Sequence, residues 1–341
     1  MKSLARRALI GLFLAVAVLA ALAWYADAGK LRGHLGAFSA RAVLIALGLA
    51  LANYALRYLR WEYNLRHVGI VVPRSTSALV FVSGFSMSIT PGKVGELLKS
   101  ALLKEAADTP VVRSAPVVIA ERVTDLTALL LLVVGSLAFV GASAARGPGA
   151  AWWPMVIGGG ALVLFGLLFL TFRPLAHGLF ARFSRPNALG HVGRVGRLVG
   201  KVRETYDHLA DLVALRPLLV AAALALAAWL CECLGFFVLV GALPGAGVSV
   251  AVAVFIYAAA TVAGALSFLP GGLLVTEAGM IFFLVNASSG LDHTGAVAAT
   301  LVTRMCTLWF AVALGFGALV AFRRLAAVSR ANLAKSSKLR P

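Results

Sequence analysis

Few charges interrupt the apolar segments of this 341-residue chain, and their types and spacing carry whatever chemistry it does: Lys93, Glu96, Lys99, Glu121, Arg122, Asp125, Glu232, Glu277 and Arg304. Each costs a few kcal/mol at the centre of a bilayer, so each is expected to face a cavity or a partner. Glu121 and Asp125 lie four residues apart, on one face of a helix, where two bare carboxylates repel. A cation near them or a bound proton is therefore required. Arg122 and the lysines Lys93 and Lys99 are the expected sources of positive charge.

Thr90-Pro91 reads as a helix start, because a hydroxyl can cap free amides and proline at the first helical position loses no donor. With Gly92 and Lys93 one turn in, the helix it opens presents amides, a dipole and an ammonium together, which suits an anion such as a lipid phosphate. A tight turn with Lys93 reaching to the interface is the simpler alternative. Glu232 lies in the middle of an apolar run, and aligning residues 50–57 with 225–232 sets it against Arg57. The two could pair. Alternatively, Arg57 belongs to an interfacial girdle, Arg57-Tyr58-Leu59-Arg60-Trp61, and Glu232 finds another partner.

The elements that position these residues are apolar helices. The chain is 61% hydrophobic and 13% charged, with a mean hydropathy of +0.94, and a soluble domain carries roughly 25% charged residues. Apolar runs at 8–24, 42–59, 116–140, 152–172, 217–240 and 294–322 are long enough to cross a hydrocarbon core about 30 Å thick. The first has the form of a secretory signal, but an uncleaved span fits the topology better. Two further stretches, 77–104 and 250–285, are broken by Pro91-Gly92 and by Pro270-Gly271-Gly272, so each is two short helices. Residues 77–90 extend only about 21 Å as a helix, which favours re-entrant hairpins over pairs of full crossings.

The net charge of +18 comes mostly from Lys and Arg placed at 2–7, 57–74, 104–113, 173–216 and 323–341, segments that alternate with poorly charged ones. This is the positive-inside pattern, with both termini cytoplasmic, and it argues against nucleic acid as a partner. The order of span, span, broken stretch, span occurs twice, from opposite sides of the membrane. The expected architecture is an all-α polytopic membrane protein: an inverted-topology repeat of two halves, 1–140 and 152–322, each with a Pro-Gly-broken re-entrant helical hairpin, and a basic cytoplasmic tail at 323–341. Ser88-Ile-Thr-Pro-Gly92 matches Ser267-Phe-Leu-Pro-Gly271, Glu96 answers Glu277, and Arg122 answers Arg304.

Cys231, Cys233 and Cys306 lie in apolar segments without metal-ligand spacing and read as small core residues; His177, His191 and His208 are scattered in a basic segment. No metal, nucleotide or other cofactor motif is present.

Thr90-Pro-Gly-Lys-Val-Gly-Glu96, Glu121-Arg122-x-x-Asp125 and Pro270-Gly-Gly-Leu-x-x-x-Glu277 together resemble the lysylphosphatidylglycerol synthase transmembrane-region family, a flippase-like membrane domain. The resemblance runs from about residue 4 to residue 324. It implies a domain that moves a lipid between leaflets, without the synthase domain of two-domain relatives. Lys93 and Lys99 stand where arginine is more usual, and Leu274 where glycine is. The expected substrate is an anionic phospholipid, an aminoacylated lipid or a polyprenyl or glycolipid in a bacterial inner membrane, with a separately encoded lipid-modifying enzyme as a candidate partner. Lys93, Lys99, Arg122 and Arg304 would hold the head group, and Glu96, Glu121, Asp125 and Glu277 would position them or carry a proton. A membrane-embedded enzyme or accessory subunit of envelope lipid synthesis is the alternative.

Overall fold

The computed structural model describes residues 28–90, 97–140, 161, 194–288 and 290–338. The expected spans at 8–24 and 152–172, the tip Pro91, Gly92, Lys93 and Glu96, and His177 and His191 lie outside the described residues. The elements are helices: α1 Ala28–Ala37, α2 Ala40–His67, α3 Arg74–Gly84, α4 Leu98–Ala107, α5 Val111–Val140, α6 Arg194–Leu212, α7 Leu215–Gly241, α8 Val250–Leu266, α9 Val275–Ala287, α10 His293–Arg304 and α11 Phe310–Lys338. Four stretches, Ala40–His67, Leu215–Gly241, Pro270–Ala287 and His293–Ala327, are long and apolar enough to cross a bilayer. The backbone can do so because every amide inside a helix is paired within the segment.

The helix is broken in both stretches, and in the second the break falls at its proline and glycines. After α3 the chain tightens into a 3₁₀ turn at Phe85–Met87, and α4 starts only at Leu98. After α8 it passes through a 3₁₀ turn at Pro270–Gly272 before α9. Gly271 and Gly272 have φ of 62° and 67°, conformations that glycine alone adopts freely. Pro116 starts no helix. It sits inside α5, five residues after Val111, one turn into the helix where few backbone bonds depend on its missing N–H.

Side-chain caps mark the starts of α2, α8 and α10. Ser39 accepts from the Ala42 amide, Ser249 from Val252 and Asp292 from Gly295, the last at 2.8 Å, each closing a first turn. A π-helical segment, Met305–Trp309, joins α10 to α11. Its wider turn turns the face of the helix just after Arg304, a feature that recurs at functional sites.

Helices α2 and α7 form the centre. Small residues let them approach: Gly235 lies against Ala46, and Asn53 Nδ2 donates to the Ala228 carbonyl at 2.8 Å. Around this pair, α8 packs on α5, α3 and its 3₁₀ turn pack on α11, and α7 also packs on α5. One apolar core joins α5, α7, α8, α9 and α10; a second joins α2, α3, α4 and α11. The two breaks touch: a methyl placed on Gly271 would stand 3.6 Å from Ile89 Cα, and Ile89 is fully buried.

Candidate functional site

A cavity of about 280 Å³ lies where the two breaks, α2, α5, α7, α8 and the π segment meet. Its polar wall is Arg57, Arg122, Asp125, Glu232, Tyr257 and Arg304. The rest is mainly apolar and aromatic, including Phe85, Leu126, Leu129, Trp229, Leu269 and Leu308, with hydroxyls from Ser88, Thr261, Thr276 and Thr307.

Asp125 is the hub. Arg60 Nη2 lies 2.8 Å from its Oδ1, Arg122 Nη1 3.4 Å and Arg57 Nη2 3.7 Å from its Oδ2, and Trp229 Nε1 donates to Oδ1 at 3.1 Å. Helical spacing on α2 brings Arg57 and Arg60 to one face, opposite the i, i+4 carboxylates of α5. Two of the expected cations are in place, Lys99 on Glu121 and Arg122 on Asp125, and α2 adds Arg57 and Arg60, of which Arg60 is nearest Asp125. Arg60 is 0% exposed, also stands 4.0 Å from Glu121, and donates to Thr124 Oγ1 at 3.0 Å.

This corrects the girdle reading. Arg60 and Trp61 are fully buried and Arg57 nearly so, while Tyr58 is half-buried and Leu59 exposed, so both arginines face the bundle interior from a helix that continues to His67. The composition of two arginines beside Tyr58 and Trp61 mimics an interfacial belt. What distinguishes it is the spacing of Asn53, Arg57, Arg60 and Asn64, a polar stripe along one helix face, all of them buried. That stripe was readable in the sequence and is the signal that finds Arg60.

Behind the cavity wall, Lys99 Nζ donates to Glu121 Oε2 at 2.6 Å. The ammonium also sits 4.8 Å from the Trp61 ring centroid and 5.2 Å from that of Phe81, a cation–π box, while its stem runs against Gly84. Lys99 is 1% exposed and Glu121 0%. Arg60 and Asp125 link both to the cavity.

Glu232 accepts a hydrogen bond from Tyr257 Oη at 2.6 Å. Arg57 has its ion pair with Asp125 and stacks 5.5 Å from the Phe85 ring centroid and 5.9 Å from that of Trp229. Of the two alternatives for Arg57 and Glu232, Glu232 has a further partner in Tyr257, and both residues face one cavity. Tyr54, also in the wall, donates to the Thr307 carbonyl at 2.7 Å, fastening α2 to the π segment.

The second break is held by Arg304. Its Nη2 donates to the Gly271 carbonyl at 2.8 Å and its Nε is ion-paired with Glu277 Oε1, at the first turn of α9. The acidic residue there also complements the positive end of the helix. Leu274 takes φ 73°, so glycine's usual place there is conformationally motivated, and the close backbone approach of this tip is made instead by Gly272 against Gly264. In the first break, the Thr90 hydroxyl donates to the Met87 carbonyl at 2.7 Å; the amides it was expected to cap lie outside the described residues. Cys233 and Cys306 are buried and Cys231 half-buried. No group of His, Cys, Asp and Glu suited to a metal ion occurs among the described residues.

The model of one family, the lysylphosphatidylglycerol synthase TM region, matches residues 9–315. The chain belongs to this family. It is accordingly an integral membrane protein of a family tied to lipid metabolism, and the motifs that carried the resemblance contribute Arg122, Asp125, Gly271 and Gly272 to the cavity of this lysylphosphatidylglycerol synthase TM region. No curated protein matches the chain.

Proposed function

We propose that the chain moves a phospholipid or related lipid between the leaflets of a bacterial inner membrane, acting as a transporter and not as an enzyme. The observation that carries this reading is the amphipathic cavity: three guanidiniums and two carboxylates on one wall, mainly aromatic and aliphatic side chains on the rest, within a membrane bundle. A head group needs the first wall and its glycerol and chain ends need the second.

The packing supports two inverted halves with re-entrant hairpins. In the proposed repeat α2 corresponds to α7, α3 to α8, and α5 to α10 and α11. Contacts then come in symmetry-related sets: α2 on α7, α8 on α5, α3 on α11. Arg122 and Arg304, at matching positions, face the same cavity. Such a pair of halves can rock about a site between them and open it to either side. Both termini are placed in the cytoplasm by the distribution of Lys and Arg.

The test is transfer of a fluorescent phospholipid between leaflets of proteoliposomes, read by quenching of the outer leaflet. Wild-type protein is expected to accelerate transfer, and Arg122→Ala and Glu277→Ala to slow it at least tenfold. Wild-type rates in both variants would overturn the assignment of the site. Conversion of the lipid, or transfer only with a second protein present, would favour an accessory role in lipid synthesis.

A further inference from the structure

Helix α6, Arg194–Leu212, ends two residues before α7 begins its crossing at Leu215. At 3.6 residues per turn, Val195, Leu198, Val199, Val202, Tyr206 and Leu209 fall on one face of α6. Over the second half of the helix that face is seated on protein. Tyr206, Ala210 and Leu212 are buried and α6 packs on α5. Leu212 belongs to the core that holds Leu65 and Val68 at the end of α2 and Val117 near the start of α5, and Leu209 packs against it.

One turn before Tyr206 the cover stops. Val202 is 48% exposed, Gly200, Arg203 and Glu204 are exposed, and a methyl placed on Gly200 would meet nothing within 4 Å. The charge changes sign at the same place. The lysine and arginines of α6, Arg194, Arg197, Lys201 and Arg203, all lie in its first half, and its carboxylates, Glu204, Asp207 and Asp211, all lie in the second. This order opposes the electrostatics of the helix itself, in which carboxylates favour the N-terminal end and cations the C-terminal end. Arg194, Arg197 and Lys201 also follow one another at i, i+3 and i, i+4, where like charges repel. An anionic surface along the first half turns both costs into gains.

The place of α6 in the bundle says which surface that is. Its covered half sits at the end of the bundle where α2 stops at His67, α5 starts at Val111 and α7 starts at Leu215. That end exposes apolar and basic side chains side by side: Val71 is 86% and Leu215 74% exposed, and Arg74 and Arg216 are exposed as well. Such a mixture suits the boundary between head groups and acyl chains. A nucleic acid or an acidic protein would match the cations of α6 and leave its apolar stripe in water, whereas an anionic bilayer surface matches both.

We infer that the first half of α6 docks on anionic phospholipid of the leaflet at which α7 begins, with its apolar stripe at the acyl boundary and its arginines and lysine among the phosphates. The docking is independent of the transport reading, because it concerns how the bundle meets one leaflet and not what the cavity holds.

The experiment places full-length protein in nanodiscs of phosphatidylcholine alone, or of phosphatidylcholine and phosphatidylglycerol in equal parts, and follows amide hydrogen exchange of 194–203 and 204–212 separately. Anionic discs are expected to slow exchange of 194–203 at least about tenfold and to leave 204–212 unchanged, since protein already covers that half. High salt should remove the difference. Replacing Arg194, Arg197, Lys201 and Arg203 together by glutamine should remove it too, and Val202→Gln should shrink it severalfold, with 204–212 as the control for folding. If the glutamine variant loses protection at 204–212 as well, the salt series on the wild-type protein decides. Equal exchange in the two kinds of disc overturns the inference. Slow exchange of 194–203 already in neutral discs overturns it as well, because another segment of the chain or a second copy then covers the stripe. A difference that survives high salt, or survives in a folded glutamine variant, also overturns it.

Discussion

The Arg304 guanidinium donates to the carbonyl of Gly271, a residue 33 positions earlier in the chain. A side chain at the end of α10 thereby holds the turn between α8 and α9, where the backbone leaves helical geometry beside the cavity. The same guanidinium pairs with Glu277 and lines the cavity. A charge that would be expensive in isolation is shared between a backbone acceptor, a carboxylate and the space available to a ligand.

Removing one partner of this arrangement should be much worse than removing both. Arg304→Ala leaves Glu277, which is fully buried, without its cation, and breaking a buried ion pair in this way costs about 3–5 kcal/mol. Glu277→Gln should be milder, because Arg304 keeps Gly271. The double variant Arg304→Ala with Glu277→Gln is expected to recover part of the loss, with a coupling energy on the order of 1–3 kcal/mol. Thermal unfolding of the four proteins in detergent measures it, and strictly additive losses would show that the pair is not coupled.

Much of this arrangement was legible beforehand, and what was not has identifiable physical causes. Pro91 and Pro270 revealed the breaks because proline lacks the donor a helix interior needs. The need of Glu121 and Asp125 for a cation followed from their spacing, and Lys99 and Arg122 were identifiable as sources, but Arg60 was not. Arg60 comes from α2, and no local pattern on α5 points to a helix sixty residues away. Its neighbours Tyr58 and Trp61 carry the composition of a membrane interface, and composition outweighed the inward stripe of Asn53, Arg57, Arg60 and Asn64. Likewise Tyr257 and Trp229 are ordinary apolar-segment aromatics until packing turns their polar atoms onto Glu232 and Asp125.

Arg60 is the cation with least freedom, since it must reach Asp125 at 2.8 Å and Thr124 Oγ1 at 3.0 Å from a fully buried position. Arg60→Lys keeps the charge but offers one compact ammonium in place of a planar fork, so it is expected to lose most of the function of the site. Arg60→Met should be worse, leaving two carboxylates one turn apart with less compensation. Adding Asp125→Asn to Arg60→Met should restore folding but not lipid transfer. Yield of monodisperse protein and leaflet transfer, measured together, separate the two effects; transfer at the wild-type rate in Arg60→Lys would refute the requirement for the fork.

On α11, two glycines only two residues apart, and so on opposite faces of the helix, should respond oppositely. A Cβ on Gly315 would run into the backbone of Phe85 and Ser86, which is how closely the first break is pressed against this helix, whereas one on Gly317 meets nothing within 4 Å. Gly315→Ala is therefore expected to destabilise by about 1–3 kcal/mol through overpacking. Gly317→Ala should be neutral or stabilising by up to roughly 1 kcal/mol, the helix propensity difference between the two residues. The melting temperatures of the two single variants check this, and a loss in Gly317→Ala equal to that in Gly315→Ala would remove the packing explanation.

Leu274 offers a prediction in the other direction. Its φ of 73° and ψ of −51° place a branched side chain where L-residues are strained, and more than half of that side chain is exposed, so little packing is lost by deleting it. Strain of this kind is worth on the order of 1–3 kcal/mol, against about 0.5–1 kcal/mol for the greater freedom of glycine in the unfolded chain. Leu274→Gly should therefore raise stability by a net of about 1 kcal/mol, seen as a higher melting temperature in detergent. Leu274→Ala removes the same apolar surface without freeing φ, so it should give no such gain. If the two variants melt together, exposed apolar surface and not backbone strain is what distinguishes this position, and the conformational account of the glycine usual here would fail.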